Sequence, residues 1–255
     1  MTPVLISVRE SKVYDAIKHG PMIFLPLVVL VAGATLVCWG FGFLSDILSH
    51  TADIIFLSEQ QFKIVIISGG GAIFIGVTVG IALSRPSFRH ISNSVIQIFN
   101  ISSAVPVLAV LALSMNFLGI GSLPAIFALF IATLLPIVRN TYIGLVEVPQ
   151  PLLEAATGMG MRPLEILFRV EIPNALRVIF AGIRTAMIIN IGTAPLAFLI
   201  GGGGLGQLIF TGISLDDPGT MLAGAITTAL MAIFIDCVIE LISQMVISKG
   251  VEARD

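Results

Sequence analysis

A chain of 255 residues that is 56% hydrophobic and only 11% charged, with a formal net charge of −2, lies far from soluble domains, in which roughly 25% of residues are charged. That composition excludes a water-solvated enzyme and requires lipid as solvent, and so small a net charge singles out no partner and no nucleic acid. Its two cysteines, Cys38 and Cys237, both lie in apolar runs and offer neither a disulfide framework nor metal-ligand spacing.

Inside hydrocarbon only helices and closed barrels satisfy every backbone polar group, and barrel strands read as about ten residues of alternating polarity. Continuous apolar runs replace alternation here, so the expected fold is an all-α integral membrane protein. At about 20 apolar residues per crossing, six transmembrane helices are predicted, at residues 22–44, 63–84, 92–117, 123–138, 174–200 and 220–247. The first follows Arg9, Lys12 and Lys18; it is too long for a secretory signal and shows no small-residue cleavage site. Cytoplasmic flanks of membrane helices are enriched in Lys and Arg. Those three cations, Arg85 and Arg89 after the second helix, Arg139, Arg162, Arg169 and Arg177 between the fourth and fifth, and Lys249 and Arg254 after the sixth therefore define one side. Asp46, Asp53, Glu59, Asp216 and Asp217 mark the other, with Lys63 as its one nearby cation. Both termini are thus expected in the cytoplasm. The expected organisation is an N-terminal segment, added helix and external loop over 1–61, a membrane domain over 62–247, and a cytoplasmic tail over 248–255.

The third predicted helix is interrupted by Asn100, Ser102, Ser103 and Pro106. Proline removes a backbone donor, and such breaks persist in membranes where protein or a cavity supplies substitute partners. A bent helix facing the bundle interior is predicted. With Asn190 and Thr193 on the fifth helix, its polar groups are candidates for a translocation pathway; amides and hydroxyls equally join one membrane helix to another, and both readings stand. Asp236 and Glu240 lie one turn apart in the last helix, where ionisable groups are expensive. Their spacing favours a structural or coupling role, and Arg184 is placed either to snorkel to the interface or to pair with them. His19, His50 and His90 occupy loops and form no catalytic or metal cluster.

The longest cytoplasmic connection, roughly 140–173, is too polar to span and too regular to be a flexible linker. It carries Glu154-Ala155-Ala156-Thr157-Gly158-Met159-Gly160, nine further residues, and Val170-Glu171-Ile172-Pro173. Ala155 and Ala156 favour helix and expose a small face, Gly160 permits a bend, and Pro163 suits the first turn of a second short helix. A compact helix-turn-helix edge follows, one that fits a groove on another protein; an amphipathic helix lying on the membrane is the alternative. The spacing resembles the signature loop of ABC importer permeases (Glu-Ala-Ala, three residues, Gly, nine residues, then aliphatic, any residue, aliphatic, Pro). The resemblance implies a type I importer permease whose coupling helix, with Glu154, Ala155, Ala156, Gly158, Gly160, Arg162, Pro163 and Pro173, inserts into a cleft of a cytoplasmic ATPase.

Ala181-Gly182-Ile183-Arg184-Thr185 and Gly201-Gly202-Gly203-Gly204-Leu205-Gly206 resemble further segments of that superfamily. Leu135-Pro136-Ile137-Val138-Arg139-Asn140-Thr141-Tyr142, Gly119-Ile120-Gly121 and Pro124-Ala125-Ile126 resemble the permeases for glycine betaine, choline and carnitine. The resemblance runs over about 62–245 and departs at Ser103-Ala104-Val105-Pro106, where that subfamily has Gln-Thr, any residue, Pro. It implies an ATPase dimer, a second permease chain, an extracytoplasmic substrate-binding protein and a location in the bacterial inner membrane. Gly201, Gly203 and Gly206 match G-x-G-x-x-G, but a membrane helix precedes them where a dinucleotide site needs a strand. A flexible helix end near the external side, with Gly201 and Gly204 as gate candidates, is one reading and close packing the other. No P-loop sequence occurs, so the expectation is that this chain binds no cofactor and that ATP and Mg sit on the partner ATPase.

Two other classes make different demands. An ion-coupled secondary transporter predicts paired inverted repeats and midplane carboxylates, and an intramembrane enzyme predicts a nucleophile beside a base or a metal cluster; neither pattern is evident. Methionine-type permeases share the glycine cluster and the coupling loop, which leaves a methionine-like solute as the alternative cargo.

Overall fold

The computed structural model describes residues 49–102 and 105–247, with the isolated positions 29, 32 and 33. The helix predicted at 22–44, Cys38, Ser103 and the tail 248–255 lie outside the described residues. Among those residues the fold is all-helical, without strands, and four stretches are long and apolar enough to cross a membrane: Thr51–Ser84, Ser122–Val146, Pro163–Ile200 and Pro218–Val246.

Helix α1, Thr51–Ser84, is 34 residues and so about 50 Å long at 1.5 Å per residue. It begins twelve residues before the predicted start at 63, so the expected domain boundary at 61/62 falls inside a helix. The polar stretch Glu59-Gln60-Gln61-Phe62-Lys63 did not break it, because Glu59 and Lys63 pair one turn apart at 2.6 Å and both glutamines find backbone partners elsewhere. Where one bent helix was predicted over 92–117, the structure has two: α2, Arg89–Ser102, and α3, Val107–Leu118. Pro106 precedes α3 with an extended backbone (φ −60°, ψ 134°), and proline also disfavours helix in the residue before it, so the chain breaks where a kink was expected. At 12 residues α3 covers only about 18 Å. A six-helix span count is therefore not what the described residues show.

Helix α4, Ser122–Val146, runs past the predicted end at 138, and Asn140 donates to the Pro136 carbonyl at 2.8 Å. Short helices α5, Gln150–Gly158, and α6, Pro163–Ile166, follow, then a π-turn at Leu167–Glu171 and α7, Ile172–Thr193, which tightens to a 3-10 segment at Ala194–Ile200. A glycine loop leads into α8, Gly206–Leu215, and α9, Pro218–Val246, closes the bundle.

Helix α4 is the centre, packed between α1 and α7, with α3 along its flank; α9 packs on α7 and forms a hairpin with α8. Lipid tails are as apolar as leucine, so close backbone approach supplies much of the attraction between membrane helices. The α1 face toward α4 carries a small residue at every fourth position, Ser68, Ala72, Gly76 and Gly80, all buried. A Cβ at Gly76 would stand 2.8 Å from the Ile137 side chain, and one at Gly80 only 2.5 Å from Thr141. The core of Val65, Leu129, Ile137, Ile183, Met187 and Ile191 fills this three-helix contact.

At the opposite ends of these helices, Asp216 closes α8 in the left-handed region and Asp217 caps α9. The Asp217 carboxylate accepts from the Thr220 hydroxyl at 2.5 Å, the Thr220 N–H at 3.2 Å and the Gly219 N–H at 3.0 Å. These bonds, the Thr220 hydroxyl foremost, hold its carboxyl below the usual aspartate range. Thr220 Oγ1 also lies 2.9 Å from His50 Nε2, which joins the start of α9 to the start of α1.

Candidate functional site

The connection between α4 and α7 folds as its sequence suggests. Helix α5 ends as Met159 N–H donates to Ala155 O (3.0 Å), Gly160 N–H to Thr157 O (2.9 Å) and Met161 N–H to Ala156 O (3.2 Å). Gly160 takes φ +78°, a conformation that costs an L-residue roughly 1–2 kcal/mol. Arg162 is extended, its N–H donates to Glu165 Oε2 at 2.9 Å, and Pro163 opens α6. Pro173 has no N–H to give to the carbonyl four residues back, and the turn before it widens to the π register.

Ala156 and Leu167 are buried and anchor this hairpin, whereas Glu154, Ala155, Gly158, Gly160, Arg162 and Pro163 are exposed, as are three large apolar side chains, Met159, Leu164 and Phe168, at 70%, 69% and 65%. Those three were missed by motif reading, because an apolar residue in a motif's variable positions reads as core. Glu171, another variable position, forms an ion pair with Arg85 at the end of α1, and Arg85 also donates to Ser84 Oγ at 2.9 Å.

About 20 Å along α7 from Glu171, Arg184 grips Asp236 with two parallel bonds, Nε to Oδ1 at 2.7 Å and Nη2 to Oδ2 at 2.8 Å, and pairs through Nη1 with Glu240. Gln244 Nε2 donates to the other Glu240 oxygen at 3.0 Å. The bidentate fork matches carboxylate geometry and fixes α7 against α9.

Of the pathway candidates, Asn100 and Ser102 lie on α2, and Pro106 stands at the start of α3. Asn190 is fully buried: its Nδ2 donates to Thr133 Oγ1 at 2.6 Å and to Ser68 Oγ at 3.0 Å, tying α7 to α4 and α1. Thr193, half-buried, returns its hydroxyl to Ile189 O at 2.7 Å. Gly201 and Gly204 belong to a loop in which 201, 203 and 204 have positive φ. Its N–H groups are taken by two adjacent glutamines of α1: Gly204 N–H donates to Gln60 Oε1 at 3.1 Å and Leu205 N–H to Gln61 Oε1 at 3.0 Å. Two consecutive amides within an apolar helix were the available signal, and sequence reading passed over it. Beside this loop lies a cavity of about 440 Å³ that Gln60, Lys63, Ser122 and Gly201–Gly203 help to line. Among the described residues no three His, Cys, Asp or Glu side chains converge as metal ligands.

The profile of a family described as the inner membrane component of binding-protein-dependent transport systems matches residues 72–248. The chain belongs to that family. It is 48% identical to the osmoprotectant import permease protein OsmY of Salmonella typhimurium over 209 residues, which is 82% of this chain and 88% of that one. It is 40% identical to the glycine betaine/carnitine/choline transport system permease protein OpuCB of Bacillus subtilis, over 80% of this chain and 93% of that one. A solved inward-facing structure of the MetNI methionine ABC transporter superposes with a TM-score of 0.64 at 24% identity, covering 78% of this chain and 95% of that one, which establishes the shared fold. The matched span contains the exposed hairpin, the Arg184 cluster and the glycine loop. This permease is a multi-pass membrane transport subunit of an ABC importer and not an enzyme.

Proposed function

We propose that this permease carries a small osmoprotectant such as glycine betaine, choline or carnitine into the cell, driven by a cytoplasmic ATPase dimer that docks on the hairpin of α5 and α6. The identity to osmoprotectant permeases over four fifths of the chain carries the reading of the cargo. The exposed Met159, Leu164 and Phe168 beside Glu154 and Gly160 support the docking, since apolar side chains rimmed by polar ones suit a protein partner. Glu154 lies in α5, Pro163 opens α6 and Pro173 opens α7, so the motif residues set the shape of the hairpin while its variable positions supply the apolar contacts. ATP and Mg belong to the ATPase, a second permease chain completes the passage, and a separate extracytoplasmic protein captures the solute.

Capture of a quaternary ammonium needs an aromatic cage, each contact worth about 0.5–2 kcal/mol, and with one tryptophan and two tyrosines this chain is poorly equipped to build one. The hairpin end, with Arg85, Arg162 and Arg169, faces the cytoplasm, and the end with Asp53, Asp216 and Asp217 faces outward. A periplasm-active reporter fused after Asp216 is active and one fused after Glu165 is silent; the reverse pattern overturns the orientation.

The deciding test is uptake in vesicles that contain permease, ATPase and binding protein. Labelled glycine betaine enters only with ATP and with the binding protein. Methionine entering in its place overturns the cargo, and uptake without ATP overturns the drive. Gly160→Leu abolishes ATPase stimulation while the protein still inserts; normal transport in that variant removes the docking hairpin.

A further inference from the structure

Helix α1 contacts the glycine loop at one end and the docking hairpin at the other. At one end Gln60 and Gln61 accept the N–H groups of Gly204 and Leu205; at the other Arg85 pairs with Glu171, the last residue of the π-turn that closes the docking hairpin. The 24 residues from Gln61 to Ser84 form about 36 Å of unbroken helix, and Arg85 follows as its extended cap. From Ser68 to Gly80 the helix is closely packed, with Ile137 and Thr141 of α4 seated over Gly76 and Gly80 and Ser68 bonded to Asn190 of α7, so the stretch between its two end contacts is stiff and passes on a displacement rather than absorbing it.

We propose that α1 is a strut that ties the position of the ATPase-docking hairpin to that of the glycine loop, with Gln60, Gln61 and Arg85 as its positioning residues. The inference rests on the docking just described.

The loop end has the character of a latch with two states. Gly203 and Gly204, at φ +78° and +88°, form a backbone hinge that L-residues rarely adopt. A Cβ at Gly204 would stand 3.3 Å from Gln61 Cβ, so the loop lies directly on the helix. Leu205 packs beside Leu57 and Leu208, and Gln61 is buried with it. One half of the Gln61 amide is satisfied by Leu205, but its Nε2 is buried without a partner among the described residues. An orphaned buried donor disfavours the closed arrangement, and water reaching it on opening relieves that penalty. The two accepted N–H bonds therefore hold shut a loop that the same side chain also biases toward opening. At the far end Arg85 and Glu171 are only 27% and 13% exposed, so their attraction is less screened than that of a surface pair. A hairpin displaced by its ATPase carries Glu171, Arg85 and α1 with it, and the glutamines follow.

The complete importer, with Cys38 and Cys237 replaced by serine and Ser122→Cys as reporter in the cavity beside the loop, is labelled with a membrane-impermeant maleimide from the side opposite the ATPase. The parent labels slowly at rest and faster when ATP and vanadate trap the ATPase. Gln60→Met keeps the length of the side chain and removes the acceptor; it raises the resting rate about threefold to tenfold, the effect of one neutral hydrogen bond. Gln60→Glu, which keeps an acceptor, stays near the parent. Glu171→Gln labels slowly in both states, and the exchange Arg85→Glu with Glu171→Arg restores the response. A Gln60→Met rate equal to the parent overturns the latch, and a parental nucleotide response in Glu171→Gln overturns the strut. Loss of ATP-driven uptake in the parent itself instead refutes the importer reading on which both rest.

Discussion

Replacing Asn190 with leucine, which branches at the same atom, separates a packing role for this residue from a place in the pathway. In the native chain its Nδ2 makes two bonds across helices, to Thr133 Oγ1 and Ser68 Oγ. Both hydroxyls keep acceptors when the amide is gone, because Thr133 donates to Leu129 O at 2.5 Å and Ser68 to Ile64 O at 2.8 Å. No orphaned donor is therefore created, and the loss reduces to two interhelical hydrogen bonds, which average about 0.6 kcal/mol each within membranes. With minor repacking against Met187 and Gly69, the expected destabilisation is about 1–2 kcal/mol. Unfolding of the purified permease in mixed micelles measures it, and a cycle with Thr133→Val isolates a coupling of about 0.6–1 kcal/mol. Uptake by the variant follows its folded fraction. A loss above about 4 kcal/mol, beyond the usual range of point substitutions, refutes the bond assignment. Uptake abolished at unchanged stability refutes the packing role and returns Asn190 to the pathway.

Gly80→Val places side-chain atoms against Thr141, where a Cβ already stands at 2.5 Å. Overpacking of this kind costs about 1–3 kcal/mol, read as a lower unfolding midpoint, and an unchanged midpoint counts against the α1–α4 contact. Arg184→Lys loses the two parallel bonds to Asp236 while keeping the charge; Arg184→Leu leaves two carboxylates facing each other and lowers stability further, by about 1.5–3 kcal/mol in total for a charge-assisted contact. Equal stability of the two variants contradicts a bidentate role. Because Asp217 has a folded-state pKa below its unfolded value, its contribution is fully present above the ordinary aspartate pKa and is lost as pH falls through the depressed one. Thermal midpoints of the native permease should therefore fall more steeply under acid than those of Asp217→Ala, and parallel curves refute the cap.

The hairpin from Gln150 to Pro173 was readable because its devices are local: alanines for helix, a glycine at φ +78°, and prolines opening successive turns each act within a few residues. Hydropathy likewise identified the four long spans, since burial in lipid needs only length and apolarity. The start of α1 was missed for the same reason, as a hydropathy threshold discounts Glu59 to Lys63 although they are helix-permissive and paired. The break at Pro106 was located in the sequence, but whether the chain bends or stops depends on what packs around it.

Asp236 and Glu240 announced themselves as costly charges, and sequence offered Arg184 a partner or the interface; only the packing of α7 on α9 decided for the partner. Nothing in the spacing of residues 60, 61, 204 and 205, or of 85 and 171, joins them. Those contacts arise because α1 is long enough to reach both ends of the bundle, and hydrogen bonds between groups 86 or 144 positions apart are a property of the assembled helices rather than of any local pattern.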